Sequence, residues 1–352
     1  MRFQIPVTGE ILNRVARIDH FRGVWGSGGL IPADRREAIK AAVRQHSTLS
    51  ASRLAGIRVT EEDVRAILAG EPSGHPEARE VRGYAAALQA LPLPPGALLD
   101  GEGIRRAHAA IMTGEPYPEA TPWRETPADP EAFDAEGRAL GRVFMTLPPR
   151  LVPQTMEDLT TWVELELRER EHHPLLVCGT FMLAMLAANP FVRGNLRVSM
   201  VLTTRMLDHV GYGYMPYGSL ESALESTRER FYEAFDVSQT RIWTGEADLQ
   251  PWLTYLMDVL DQHAGEVSAL VSSEREATEF SPLQRAIVEI VRRHGTAEAG
   301  LLISNTGANR NTLKDNLRRL VERGVLEKMG ARRGTRYRIS RAQAARLPGR
   351  DL

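Results

Sequence analysis

The chain has 352 residues, a formal net charge of −1 and one cysteine, Cys178. That length suits one large domain and a small one. A lone cysteine excludes an internal disulfide and a multi-cysteine zinc site, and its apolar surroundings mark a buried structural thiol. No run of about 18 uncharged apolar residues occurs, so no membrane partner is expected. The N-terminal stretch MRFQIPVTGEILNR lacks a basic-then-apolar signal pattern, and a cytoplasmic location is expected. The near-zero charge is unevenly spread. Between Arg310 and Arg341 eleven basic residues stand against three acids, so the positive field is confined to one end.

In chain order, residues 33–48 read as an amphipathic helix. A second helix starts near Thr60, where Asp63 stands at capping-box distance, an acid in place of the usual Glu. Residues 76–91 open with Pro76 and acids, then repeat apolar residues at helical spacing. The chain breaks over 93–95, and a helix resumes through 101–112. Residues 113–150 are proline-rich with no helical period, which predicts loops and a short hairpin ending at 142–145; so long a loop in a compact domain is usually functional.

Helical pattern returns at 155–170 and at 174–188. In the latter, Leu175, Leu176, Phe181, Met182, Leu183, Met185 and Leu186 make a helix apolar on nearly all sides, which belongs inside a core. Further helices are expected from near Leu196 to His209 and over 219–235, 236–246 and 250–270. The polar segment 271–282 reads as a linker. The expected organisation is a helical region over 1–75, a core over 76–270 and a small domain over 283–342.

In that small domain residues 283–293 form a helix with Leu283, Ile287 and Ile290 on one face, broken at Gly295-Thr296. Residues 297–307 make a short second helix ending at Gly307. Asn309 or Asn311 can cap a third, which Gly324 terminates. Strand-like stretches follow at 325–329 and 335–339. Three helices and a hairpin in this order look like a winged helix-turn-helix. The third helix would then enter the major groove of double-stranded DNA with Arg310, Asn311, Thr312 and Lys314 nearest the bases and Arg318 behind them. Arg332, Arg333 and Arg336 of the hairpin would approach phosphates or the minor groove. A helical dimerisation domain with a solvated basic face is the alternative, and a second copy of the chain is a candidate partner.

Residues 189–200, Asn-Pro-Phe-Val-Arg-Gly-Asn-Leu-Arg-Val-Ser-Met, lie between two apolar helices. A glycine loop followed by a helix start offers unpaired N–H groups and a positive dipole end, suited to phosphate; a plain helix–helix turn is the bland alternative. The segment resembles the signature of the Fic (Fido) family, H-x-F-x-[DE]-G-N-G-R-x-x-R, at Phe191, Gly194, Asn195 and Arg197. Residues 148–159, 80–88 and His173-Pro174 also resemble family landmarks, and the resemblance spans roughly residues 30–270. It implies a mainly α fold, with a helical core and a small β-hairpin flap, and an appended helix-turn-helix is common in the family. Trp123 and Arg124 resemble part of the flap over the target-binding groove.

The family transfers AMP from ATP to protein hydroxyls. Its His acts as general base, its acid holds magnesium, and its arginines grip phosphate. Here Asn189 replaces the His with an amide that does not titrate, Arg193 replaces the acid with a cation, Leu196 replaces a glycine and Met200 an arginine. Losing a general base typically costs about 10²–10⁴-fold. The family's inhibitory pattern [ST]-x-x-x-E-[GN] survives only as Ala51, Ala55 and Gly56. The resemblance therefore implies a catalytically impaired relative, with no magnesium or other metal, in which Arg193, Gly194, Asn195 and Arg197 could still hold ATP, another nucleotide or a phosphate. The expected function is a DNA-binding regulator sensing such a ligand or a partner protein; the alternative is an AMP transferase, residual or rewired, modifying protein hydroxyls. His172 reads as a helix-end residue.

Overall fold

The computed structural model describes all residues except 91–98, 116–117, 129–130, 134–137, 143–145, 331–334 and 341–352. The chain divides into two compact units, one of residues 1–28 and 34–267, the other of 29–33 and 268–352.

The first unit is helical: α1 Gly9–Gly26, α2 Ala33–Leu54, α3 Glu61–Ala69, α4 Ala78–Gln89, α5 Gly101–Thr113, α6 Val152–Glu169, α7 Pro174–Ala188, α8 Asn195–His209, α9 Leu220–Ser226, α10 Arg228–Gln239 and most of α11 Gln250–Glu279. Its strands, β1 Glu131–Phe133 and β2 Ala139–Arg142, pair antiparallel with an irregular register at Ala132/Phe133. The first part of the hairpin expected to end at 142–145 is thus present, and residues 143–145 lie outside the described residues. The mainly α expectation holds.

α7 is the centre of this core. Fourteen of its fifteen residues are buried, as a helix apolar on all sides requires, since any exposed face would leave hydrocarbon in water. Burial pushes the Cys178 thiol up to about 12, so it is an inert packing group. α4 packs on α5 through Gly83, whose missing Cβ makes room for the carbonyls of Ala110 and Ile111.

Several segments depart from the sequence reading. α1 lies in the helical region expected over 1–75 but is not read there as an element of its own; it buries Ile11, Val15, Ile18 and Phe21 at helical spacing and is capped by Thr8, whose side chain accepts from the Ile11 N–H. The 219–235 helix is two helices that meet at Thr227, where φ is −117°, and the separate helix expected over 236–246 is instead the end of α10, which stops at Gln239, followed by a single 3-10 turn at Ile242–Thr244. The linker expected over 271–282 is helix up to Glu279. Its Ser, Glu and Arg residues are polar yet helix-compatible, its alanine favours helix, and the chain meets no helix breaker before Pro282. By contrast the Thr60–Asp63 capping box forms as expected.

The second unit contains α12 Pro282–His294, β3 Ala297–Glu298, α13 Ala299–Thr306, α14 Arg310–Glu322, β4 Leu326–Met329 and β5 Arg336–Ile339. The strands form one antiparallel sheet in the order β3-β5-β4. Ile287, Val291, Leu302, Leu313, Leu317, Leu320 and Leu326 fill its core. Residues 297 and 298, expected to begin a helix, are a strand because they pair with Tyr337 and Arg336. That long-range pairing is invisible to local periodicity. Among the described residues no helix is long and apolar enough to cross a membrane.

Candidate functional site

The sequence from Asn189 to Arg197 joins the end of α7 to the start of α8. Asn189 is the C-cap of α7 with φ +45°, in the left-handed region that asparagine tolerates better than most residues. Its backbone carbonyl, with that of Ala188, is held by one side chain. Arg124, 4% exposed, donates from Nε to Asn189 O at 2.6 Å, from Nη2 to Ala188 O at 3.3 Å and to Leu147 O, and from Nη1 to Thr126 O at 3.0 Å. The orphan carbonyls at the end of α7 are thereby satisfied by a charged donor. Arg124 was expected to face a target from the flap; the structure instead turns its guanidinium inward, where burial lowers its pKa. The four carbonyls that bind it are why. Trp123, its neighbour, is half-buried against Phe191 at 5.2 Å, with the Arg105 guanidinium 5.6 Å from its ring.

The turn itself is tied by Asn195, whose side chain accepts from Phe191 N at 2.9 Å and donates to Phe191 O at 2.8 Å. Its amide is spent within its own loop. Gly194 is the α8 N-cap with φ +81°, a left-handed backbone that favours glycine, and a Cβ there would also press on the Met112 side chain, 2.9 Å from Sδ. No side chain caps α8. Leu196 occupies a regular helical position beyond it.

A residue that sequence reading did not single out organises the charge. Glu80 of α4, 6% exposed, receives Arg193 Nη2 at 2.6 Å on one carboxylate oxygen and Arg197 Nη2 at 2.5 Å on the other. Arg193 is otherwise open to solvent, whereas Arg197 is 3% exposed and its Nε and Nη1 have no hydrogen-bond partner. Glu80 belongs to the 80–88 segment already noted as a landmark, but nothing in local sequence pairs it with residues over a hundred positions away.

His108 of α5 is the second such residue. Its ring stacks on Phe191 at 3.8 Å, its Nε2–H donates to Arg193 O at 2.9 Å, and Nδ1 lies 3.0 Å from Thr121 Oγ1. Burial pushes its pKa down to about 4, reinforced by Arg197 and Arg193. It is therefore a neutral strut of the loop, with both nitrogens engaged. Burial likewise lowers the pKa of His263, which is fully enclosed on α11. A histidine whose folded pKa is depressed stabilises the fold fully above its unfolded value near 6.5, and that stability is lost as pH falls. His108 alone is expected to remove about 3 kcal/mol between pH 6.5 and 4. Thermal unfolding followed over that range should show the decline, and it should be smaller for His108→Gln. An identical pH profile for that variant would refute the assignment.

The remaining sites fall into two groups. Ala51 is fully buried, Ala55 packs on the small cluster of Leu49, Ile57, Val59, Val64, Ile67 and Val81, and Gly56 ends the helix at φ +75°. At the two positions where the family pattern has a hydroxyl and a carboxylate, this chain has packing methyl groups. Met200 is fully buried. Magnesium does not fit the loop: a guanidinium stands where the family has an acid, and the adjacent Glu80 carboxylate is already held by two arginines. His172 Nδ1 lies 2.8 Å from Glu166 and close to Glu171, the one group of potential metal ligands among the described residues, at the C-terminal end of α6, where Glu166 and His172 are half-buried and Glu171 is exposed.

In the second unit, Asn309 caps α14 by accepting from Thr312 N at 2.9 Å. Arg310, Asn311, Thr312, Lys314 and Arg318 are all exposed, while Leu313, Leu317 and Leu320 hold the opposite face in the core. Arg318 lies 3.7 Å from both Asp315 and Glu322, and Arg336 donates to Glu298 at 2.9 Å. Among the described residues Arg310 and Lys314 have no ion pair. Arg332 and Arg333 lie outside the described residues.

No family model matches the chain, and no curated protein sequence matches it. Solved structures do. A Fic family protein from Desulfovibrio desulfuricans G20 aligns with a TM-score of 0.61 at 22% identity over 97% of this chain and 99% of its own. A Fic domain containing signaling protein from Bacteroides thetaiotaomicron aligns at 0.56 and 17% identity over 76% and 98%. Fic-1 from C. elegans, residues 134–508, aligns at 0.54 and 18% identity over 75% and 72%. The likeness establishes a Fic-type fold.

Proposed function

We propose that the chain is a DNA-binding regulatory protein: its second unit is a winged helix-turn-helix that binds double-stranded DNA, and its Fic-type first unit is a sensor of a phosphate-bearing ligand in place of a transferase. The observation that carries this reading is α14. Its buried leucine face anchors it, its capped N-terminus points Arg310, Asn311, Thr312 and Lys314 at solvent, and neither of the two cations among them, Arg310 and Lys314, has a carboxylate to neutralise it among the described residues. The order helix, short strand, two helices and hairpin supports the winged-helix assignment.

The sensor half is supported by what the loop contains. Asn189 cannot accept a proton, His108 is neutral and engaged at both nitrogens, and a cation replaces the acid that would hold magnesium. Covalent label left by ATP on the chain or on lysate proteins would refute this half.

The DNA half is tested by fluorescence anisotropy on genomic fragments, including the chain's own promoter, across a salt series. Affinity should fall steeply with salt, because neutralised phosphates release counterions. The double variant Arg310→Ala/Lys314→Ala should weaken binding and make the logarithmic salt slope shallower by about 2, one phosphate contact per cation. No binding at low salt, or a double variant indistinguishable from the parent, would sink the reading.

A further inference from the structure

The geometry at the C-terminal end of α6 points to a binding site for a zinc-class divalent cation, held by Glu166, Glu171 and His172. One carboxylate oxygen from each glutamate and one ring nitrogen of the histidine lie within 4.8 Å of one another. The three residues belong neither to the 189–197 loop nor to the face proposed to touch DNA.

No local periodicity unites them. Glu166 and His172 are six positions apart, a spacing that puts two residues on different faces of a continuous helix. The helix is not continuous. Arg170 caps α6 in the left-handed region at φ +58°, and its N–H donates to Glu166 O. Few residues other than glycine sit there. The reversal carries Glu171 and His172 back against the last turn, where His172 Nδ1 lies 2.8 Å from Glu166 Oε2. The neighbouring histidine is committed elsewhere: His173 Nδ1 accepts from Leu175 N at 3.4 Å, and Nε2 donates to Asp19 at 3.0 Å. Of the two imidazoles, only His172 can turn a lone pair towards an ion.

The electrostatics favour a cation here. The Glu166 side chain is 12% exposed and that of His172 21%, so a carboxylate is held largely out of water, which is unfavourable without a compensating charge. It also stands in the last turn of the 18-residue α6, where the negative end of the helix dipole opposes an acid and attracts a cation. Among the described residues neither Glu166 nor Glu171 has a lysine or arginine partner, and Arg168 of the same turn lies 3.5 Å from Glu169 instead.

The donor set selects the ion. One imidazole nitrogen with two carboxylate oxygens suits zinc and its first-row neighbours, whereas magnesium prefers oxygen donors and keeps several waters. Zinc bonds of about 2.0–2.2 Å put tetrahedral donors roughly 3.4 Å apart. The 2.8 Å contact between His172 and Glu166 therefore has to open by only about 0.6 Å, and the exposed Glu171 side chain is placed to swing in. The ion takes the place of the proton between Nδ1 and Glu166, which passes to Nε2 of the same ring. Three protein donors leave the fourth position to water or to a donor from outside.

The test is calorimetric titration of the full chain, stripped with EDTA and desalted, with zinc chloride and separately with magnesium chloride. One zinc per chain should bind, and magnesium should give no comparable heat. Cobalt chloride in place of zinc should bring up the intense visible bands of a four- or five-coordinate ion, which loosely held hydrated cobalt lacks. Glu171→Gln and His172→Gln should each erase those bands and weaken zinc by more than the roughly 10–100-fold that changing an outer-shell partner costs. Glu169→Gln removes an equal charge from the same helix end and should leave both readouts unchanged. Zinc affinity kept in Glu171→Gln and His172→Gln would overturn the site. So would an equal loss in Glu169→Gln, which would leave only a diffuse negative patch, or several weak zinc ions per chain without cobalt bands. Were His172→Gln to unfold, Glu171→Gln, altered at an exposed side chain, decides alone.

Discussion

Arg124→Met is expected to lower the stability of the first unit by about 3–5 kcal/mol, because buried carbonyls left without their donor cost about 1–3 kcal/mol each. The side chain donates to four carbonyls, those of Asn189, Ala188, Thr126 and Leu147. Methionine preserves much of the volume, so the loss reports the polar contacts and not a cavity. A hydrogen bond from a charged donor contributes about 1.5–3 kcal/mol, and the carbonyls left unmatched at the end of α7 add their own desolvation cost. Urea unfolding followed by far-UV circular dichroism would measure it. The variant should also loosen the 189–194 turn, because Arg124 is what ties the loop before α6 to that turn. A change under about 1 kcal/mol, the ordinary range of surface substitutions, would show that these contacts are replaceable by water.

Gly83→Ala is the second large effect expected. Two terms oppose one another. Alanine in a helix interior is favoured over glycine by roughly 1 kcal/mol. Against this, the added Cβ would sit 2.3 Å from Ile111 O and 2.5 Å from Ala110 O. Both are backbone atoms of α5, so the only relief is to push α4 and α5 apart. Overpacking of a close interface costs about 1–3 kcal/mol and at times more, and contact this short belongs at the upper end, so the clash wins. The net loss should appear as a fall in the thermal midpoint of roughly 4–8 °C at about 2 °C or more per kcal/mol for a unit of this size. Since Glu80 lies one turn earlier on α4, the same displacement should weaken its hold on Arg197. A raised midpoint would mean that helix propensity dominates and that the helices separate freely.

Much of the architecture was legible in local pattern. α7 announced itself by being apolar on nearly every side, the Thr60–Asp63 box by its spacing, and α14 by its capping asparagine and its bounding glycines. Each of these depends on residues within a turn or two of one another, where periodicity and capping operate. The misreadings have the opposite character. The helix running to Glu279 was hidden by a polar composition that signals solvent exposure without specifying loop. β3 was hidden because two residues form a strand only when a distant strand is there to receive them.

The candidate site divides along the same line. Sequence alone determined the chemistry that the 189–200 loop lacks: an amide at 189 and a cation at 193 are facts of covalent structure, whatever the fold does with them. It also fixed the basic end of the chain and the four residues that head α14. Only the tertiary structure decided what the remaining polar groups are for. It turned Arg124 inward onto the α7 carbonyls, consumed the Asn195 amide in its own turn, made His108 a neutral strut, and brought Glu80 from 117 positions away in sequence to bridge Arg193 and Arg197. The physical reason is that a side chain's role follows from which donors and acceptors surround it once water is gone, and burial assembles those partners from helices that carry no local record of one another.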